Sequence, residues 1–221
     1  IQYTSGSTGN PKGVVLAHAN LLANIRAMGA VMEASSSDVF VSWLPLYHDM
    51  GLIGAWLGCL YYGAPTAIMP PLAFLADPAR WLWSIHRHKA TLSAAPNFAY
   101  ELCLKNIRDD DIRDLDLSSL RMLVSGAEPV SPSTIEHFTR RFEKYGFRPE
   151  AMAPVYGLAE NSVGLAFPPV GRLPIVDRVE REAISREGIA RPVKEKDATS
   201  LEFVACGRPL PGHQIRIIDQ S

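Results

Sequence analysis

In Tyr3-Thr4-Ser5-Gly6-Ser7-Thr8-Gly9-Asn10-Pro11-Lys12-Gly13, four aliphatic hydroxyls, three glycines and one lysine share eleven residues, and apolar Val14-Val15-Leu16 follows at once. Glycines let backbone N–H groups converge on an anion with no Cβ in the way, hydroxyls add donors, and lysine adds charge. The segment therefore predicts a loop for phosphate groups, feeding a strand. A Walker loop needs Gly directly before Lys and Ser or Thr directly after it; here Pro11 and Gly13 hold those places, so this is a phosphate loop of another kind. A flexible Ser/Gly linker is the alternative, but a linker seldom ends in Pro-Lys-Gly against an apolar run.

Beyond the loop, short apolar runs alternate with helical patterns. Val39-Phe40-Val41, Thr66 to Met69, Thr91 to Ser93 and Met122 to Ser125 read as strands. Leu21, Leu22, Ile25 and Met28 recur at helical spacing. Asp77 with Pro78, and Ser131 with Pro132, start two further helices whose apolar faces are Trp81, Leu82, Ile85 and Ile135, Phe138, Phe142. This alternation predicts an α/β fold with a largely parallel sheet and flanking helices. Gln214 to Asp219 alternates polar and apolar residues, as a half-buried strand does.

The 221 residues carry 22 basic and 23 acidic side chains, so no electrostatic argument favours nucleic acid as a partner. Three widely spaced cysteines (Cys59, Cys103, Cys206) make neither a disulfide framework nor a zinc pattern, and a reducing cytoplasmic setting is expected. Met50 to Ala76 carries no charge, but Gly63-Ala64-Pro65 and Pro70-Pro71 interrupt it. A buried helix followed by a buried strand fits it better than a membrane span. From Arg172 to Glu202, fourteen of 31 residues are charged. That stretch reads as a solvated excursion with a short helix near Arg178 to Ser185.

Four further motifs punctuate the chain: Leu44-Pro45-Leu46-Tyr47-His48-Asp49-Met50-Gly51-Leu52, Ser125-Gly126-Ala127-Glu128-Pro129, Tyr156-Gly157-Leu158-Ala159-Glu160 and Gly207-Arg208-Pro209-Leu210-Pro211-Gly212. The second follows an expected strand and precedes a helix, which is where open α/β sheets bind ligands. Each alone is weak. Together with the loop, and in this order, they resemble the adenylate-forming superfamily of acyl-CoA synthetases, luciferases and peptide-synthetase adenylation domains, along essentially the whole chain.

The resemblance implies ATP and Mg²⁺. Thr4, Ser5, Gly6, Ser7, Thr8 and Gly9 would hold the terminal phosphates, with Lys12 steadying the departing pyrophosphate. Gly126, Ala127 and Glu128 would lie against adenine, and Tyr156, Gly157, Leu158 and Ala159 would complete the nucleotide site. An aromatic face can stack on a base, and the Glu160 carboxylate suits a hard cation. Family members often carry Thr where this chain has Ala159, so one hydroxyl contact to phosphate is missing. His48 would gate or line the carboxylate site. Gly51 and Gly54 would allow a chain to pass close to the helix backbone, with Leu52, Ile53 and Trp56 as acyl contacts, although core packing explains those three equally well.

Within the superfamily, the run from Trp43 to Gly54, Pro154 and the Tyr156–Glu160 motif look most like fatty acyl-AMP ligases. In those enzymes an extra segment, associated with making acyl-AMP and handing the acyl group to a carrier protein, precedes the Gly-Arg-Pro-Leu-Pro-Gly turn; residues 171–203 occupy that interval, with a solvated loop of no consequence as the alternative. The implied activity is conversion of a fatty acid to acyl-AMP and transfer to an acyl carrier protein, with a long-chain acyl-CoA synthetase using coenzyme A, or a non-catalytic nucleotide-binding fragment, as alternatives. Residues 1–221 would form part of an AMP-binding domain and begin a small barrel-like part, and the family's C-terminal lysine-bearing domain is absent from them.

Overall fold

The computed structural model describes residues 1–4, 9–193 and 200–218. The chain opens on an antiparallel ladder, β1 (Gln2–Tyr3) with β2 (Gly13–Val14), so the candidate loop joins two paired strands. The expected strand at Val14–Leu16 is thus only its first residue; Val15 is exposed, with no sheet face to bury it. Helix α1 (His18–Met32) follows, its first turn held by the Asn20 carboxamide accepting from the Ala17 N–H at 2.9 Å.

A parallel sheet forms the centre. Strand β3 (Phe40–Ser42) leads into a helical segment, Met50–Leu57, with π-type turns, which continues as α2 (Gly58–Tyr62). Then come β4 (Thr66–Ile68), α3 (Pro71–Ala76), α4 (Ala79–His88), β5 (Leu92–Ala95) and α5 (Asn97–Asn106). Strand β6 (Met122–Ser125), α6 (Pro132–Phe142) and β7 (Met152–Pro154) complete the set. The strand order is β4-β3-β5-β6-β7, all parallel. The chain runs from β3 to β4 on one side and returns to β5 on the other. That reversal opens a crevice at the carboxyl ends of β3 and β5.

The helix starts read from the sequence are present. Ser131 Oγ accepts from the Thr134 N–H at 3.3 Å, and Asp77 Oδ1 accepts from the Ala79 N–H at 3.1 Å. The two helices bury Trp81, Leu82, Ile85 and Ile135, Phe138, Phe142 against the sheet. Aromatic rings extend this core: Trp43 stacks on Phe74 with centroids 4.0 Å apart, and Phe138 packs edge-on against Tyr100 and Phe147. Among the described residues, no helix is long and apolar enough to cross a membrane. The strand expected to be buried after Gly63 is the edge strand β4, and it is only half-buried.

After the sheet come β8 (Tyr156–Gly157), β9 (Gly164–Phe167), β10 (Val176–Glu180), β11 (Ser200–Val204) and β12 (Arg208–Pro209). A small antiparallel sheet has the order β12-β9-β8, while β10 and β11 pair with each other. The charged excursion is therefore a hairpin. Residues 176–180, expected to be helical in part, are strand, because Arg178 faces Glu202 across the ladder at 2.9 Å and the charges satisfy each other. Helical turns follow the strand at residues 181–187. Residues 214–218 are not a strand: alternation makes one only where a sheet edge receives it, and no described strand does, which leaves Ile217 and Ile218 exposed.

Candidate active site

Three of the motifs converge because each follows a carboxyl end of the parallel sheet. His48 and Asp49 lie beyond β3, Ala127 and Glu128 beyond β6, and Tyr156 beyond β7. All five line one cavity of about 810 Å³, together with Thr4, Asn10, Lys12 and Glu160. The β1–β2 hairpin is fastened beside the histidine loop by Gln2, whose carboxamide donates to the Tyr47 carbonyl at 3.2 Å. Within the hairpin, the Lys12 N–H donates to Thr4 Oγ1 and the Thr4 N–H to the Lys12 carbonyl, both at 2.9 Å. Ser5, Gly6, Ser7 and Thr8 lie outside the described residues. Gly9 has a φ of 141°, a conformation that favours glycine.

The turn after β6 is shaped by a close approach. A Cβ on Gly126 would stand 2.8 Å from Val155 Cγ2, so only glycine lets the turn lie flat beside β7. Ala127 then takes a φ of 69°, a strained value for a residue with a Cβ. Glu128 turns back, and its carboxylate accepts from the Phe98 N–H at 2.6 Å, occupying an orphan donor at the start of α5.

Glu160 stands in a short helical turn, Ala159–Asn161, that is held from both sides. The Leu158 N–H donates to the Val163 carbonyl at 2.9 Å. Ser162, at φ 68° and ψ −62°, is the centre of a γ-turn of the rarer hand, closed by the Val163 N–H on the Asn161 carbonyl at 2.9 Å. Buried Asn24 of α1 pins the far end, donating to the Gly164 carbonyl at 2.8 Å and accepting from its N–H at 2.9 Å. Tyr156 is 51 % exposed, so its ring is open to stacking. Neither Asn24 nor Ser162 was legible as a site residue, since their contacts cross 140 residues or depend on local strain.

His48 is half-buried, and its Nδ1 lies 2.9 Å from Asp49 Oδ1. The Met50 N–H faces both groups, at 2.6 Å from Asp49 Oδ1 and 3.2 Å from His48 Nδ1. The shorter contact assigns that N–H to the carboxylate, which leaves Nδ1 to donate to Asp49. Nε2 then has no hydrogen bond among the described residues. The hydrogen bond to Asp49 raises the His48 pKa above its ordinary value, burial opposes the shift, and the carboxylate charge adds to it.

From His48 the cavity continues into an apolar channel walled by α1, by the helix Met50–Tyr62 and by Phe40, Leu92 and Val124 of the sheet. Gly51, Leu52 and Ile53 are not in its lining, nor is Trp56. Turns closed by i→i+5 bonds, such as the Gly58 N–H on the Ile53 carbonyl, spread the inward positions to Met50, Gly54, Gly58 and Tyr62. Gly51 meets another backbone: a Cβ there would lie 2.3 Å from the Pro45 carbonyl oxygen. Gly54 does not, with nothing within 4 Å. Glu202, Phe203 and Val204 bring the charged hairpin into the cavity wall.

No group of three or more His, Cys, Asp or Glu side chains among the described residues could enclose a metal. The Glu160 carboxylate is one of several in the cavity lining, with Asp49, Glu128 and Glu202 among the others, and an oxygen donor there fits Mg²⁺, an ion commonly held by one or two carboxylates with substrate phosphates completing its shell.

A family model described as AMP-binding enzyme matches residues 1–221. The medium-chain-fatty-acid acyl-carrier-protein ligase TtuA of Teredinibacter turnerae is 41% identical over 221 residues, covering 100% of this chain and 34% of that protein. The long-chain-fatty-acid AMP ligase FadD26 of Mycobacterium marinum is 38% identical, covering 99% of this chain and 38% of that protein. A fatty acyl-adenylate ligase from L. pneumophila, solved with acyl adenylate and pyrophosphate, superposes with a TM-score of 0.89 at 40% identity, covering 94% of this chain and 36% of that one. The chain thus spans little more than a third of the length of the relatives it matches. With one model matched from end to end and the same fold found around bound acyl adenylate, the chain belongs to the AMP-binding enzyme family.

Proposed function

We propose that this chain is the nucleotide- and acid-binding part of a cytoplasmic enzyme that activates a fatty acid with ATP and passes the acyl group to the phosphopantetheine thiol of a carrier protein. One observation carries the reading. A single cavity holds Lys12, Thr4, Tyr156 and Glu160 at its polar end and runs past His48 into an apolar channel. That is the shape needed for a charged nucleotide and an alkyl acid that must meet at the acid's carboxylate. The names of TtuA and FadD26, and the acyl adenylate in the L. pneumophila structure, agree with it.

In the first step a carboxylate oxygen bonds to the α-phosphorus, the bond to the bridging oxygen breaks, and pyrophosphate leaves. The carrier thiol then attacks the acyl carbon and releases AMP. Little covalent chemistry falls to the protein, so positioning and charge neutralisation dominate. Thr4, the loop from Ser5 to Gly9 and Lys12 take the β- and γ-phosphates. Tyr156 stacks on adenine, bounded by Gly126, Ala127, Glu128 and Gly157 to Ala159. His48, oriented through Nδ1 by Asp49, presents Nε2 to the acid's carboxylate. Glu160 holds Mg²⁺, whose contribution when bound is to neutralise phosphate charge.

Lys12→Ala in the intact enzyme should lower ATP–pyrophosphate exchange by about 10²–10³-fold, the usual cost of removing one preorganised donor. Unchanged exchange would take Lys12 out of the mechanism. Mass spectrometry of products from ATP, fatty acid and coenzyme A checks the acceptor: accumulation of acyl-CoA at full turnover overturns the carrier-protein assignment.

A further inference from the structure

Glycine is a poor helix residue, because ordering its backbone costs more entropy than ordering alanine's. The helix Met50–Tyr62 nevertheless carries three, Gly51, Gly54 and Gly58. The fold explains Gly51, where a Cβ would collide with the Pro45 carbonyl oxygen. It does not explain Gly54, where a Cβ would meet nothing within 4 Å, and barely explains Gly58, where the sole neighbour would be the Ile53 carbonyl oxygen at 3.4 Å. Neither has a positive φ. Both border the apolar channel. What a side chain at Gly54 would fill is the channel itself.

Met50, Gly54, Gly58 and Tyr62 border the channel in chain order along this helix, and Met50 lies beside His48, its N–H 3.2 Å from Nδ1. At the other end the Tyr62 ring lies across Gly29 of α1, so tightly that a Cβ on Gly29 would fall 2.2 Å from the ring. An acid whose carboxylate is at His48 must therefore pass Gly54 before its chain reaches Tyr62.

We propose that Gly54 sets the bore of the acyl channel, so that the enzyme selects unbranched alkyl acids long enough to pass it. This rests on the fatty-acid reading above. The test uses the intact enzyme and its Gly54→Leu and Gly54→Ala variants, with acyl-AMP formation measured for saturated acids of short, medium and long chain. Gly54→Leu should lower kcat/KM for long acids by about tenfold or more while changing that for the shortest by less than about threefold, with the KM for ATP unmoved. Gly54→Ala should fall between. Both variants should melt no lower than the parent, since the new side chain enters open space. An equal loss at every chain length, no loss at any length, or a lowered melting temperature would each overturn the proposal. A parent enzyme that adenylates no unbranched acid would instead remove the reading beneath it, and the proposal with it.

Discussion

The His48 imidazole lies 2.9 Å from the Asp49 carboxylate, and this contact decides which ring nitrogen carries a proton. With Nδ1 donating to Asp49, the pKa of His48 is raised by that hydrogen bond, against burial and with the carboxylate's charge. A raised histidine pKa contributes stability that is fully present below the unfolded value and is lost as pH rises through the folded one. His48 is 39% exposed, so solvent screens much of this contribution, and the more informative readout is the ring itself. Asp49→Asn should shift the NMR titration of His48 to lower pH and raise the KM for the acid while leaving that for ATP alone. A titration that does not move would show that Asp49 does not govern the imidazole. The sequence carried His48 in a recognisable motif but no sign of Asp49's task, because neighbours on a chain usually point apart. Only the turn entering the helix at Met50 brings both to one N–H.

Arg121, at the start of β6, ties four elements together. Its Nε and Nη2 donate to the two Asp38 oxygens at 2.7 Å each, Nη1 donates to the Met32 carbonyl at 2.6 Å, and Thr91 Oγ1 donates to Asp38 at 2.7 Å. The end of α1 and the starts of β3, β5 and β6 meet in this clamp, with Asp38 and Arg121 side chains 5% and 24% exposed. Burial would raise the Asp38 pKa, but the bonds from Arg121, Thr91 and the Ser35 N–H outweigh it and hold the carboxyl below its ordinary value. Its stabilisation is present above the unfolded carboxyl pKa and fades as pH falls through the folded one. Asp38→Ala should cost about 3 kcal/mol in urea unfolding at neutral pH, because it strands a largely buried guanidinium. The deficit should shrink towards acid pH; a cost that stays constant with pH would deny the ion pair its role. Elements with clean periodicity, such as Met122–Ser125, were legible without coordinates. Strand β7 was not, since it is three residues long and ends in Pro154, which a sheet accepts there only because β7 is an edge. Strand β10 was hidden by its charges, which pair across the ladder instead of facing water alone.

For the molecule as a whole, the cavity is assembled from distant parts: the β1–β2 hairpin, the carboxyl ends of the parallel sheet, and the returning strand of the charged hairpin, which supplies Glu202, Phe203 and Val204 to its wall. The last contribution separates two jobs within residues 171–203. Strand β11 supplies the cavity wall, whereas residues 181–193 are absent from its lining and fold back on the other edge of β10, where the Glu180 N–H donates to the Arg191 carbonyl at 2.9 Å and the Val193 N–H to the Arg178 carbonyl at 3.0 Å. Glu180 and Ser200 face each other as the final pair of that ladder. Replacing residues 181–199 of the intact enzyme by Asn-Gly would therefore close the hairpin with a two-residue turn whose twist suits the flanking strands. Pyrophosphate exchange should survive within about threefold, since the wall on β11 is retained and only uniform binding could be disturbed. Transfer of the acyl group to the carrier thiol should change, in rate or in preference over coenzyme A, if the excised residues meet the acceptor. Exchange and transfer falling together would assign the excised residues to the cavity; both persisting unchanged would make them a solvated loop and return the choice of acceptor to the rest of the protein.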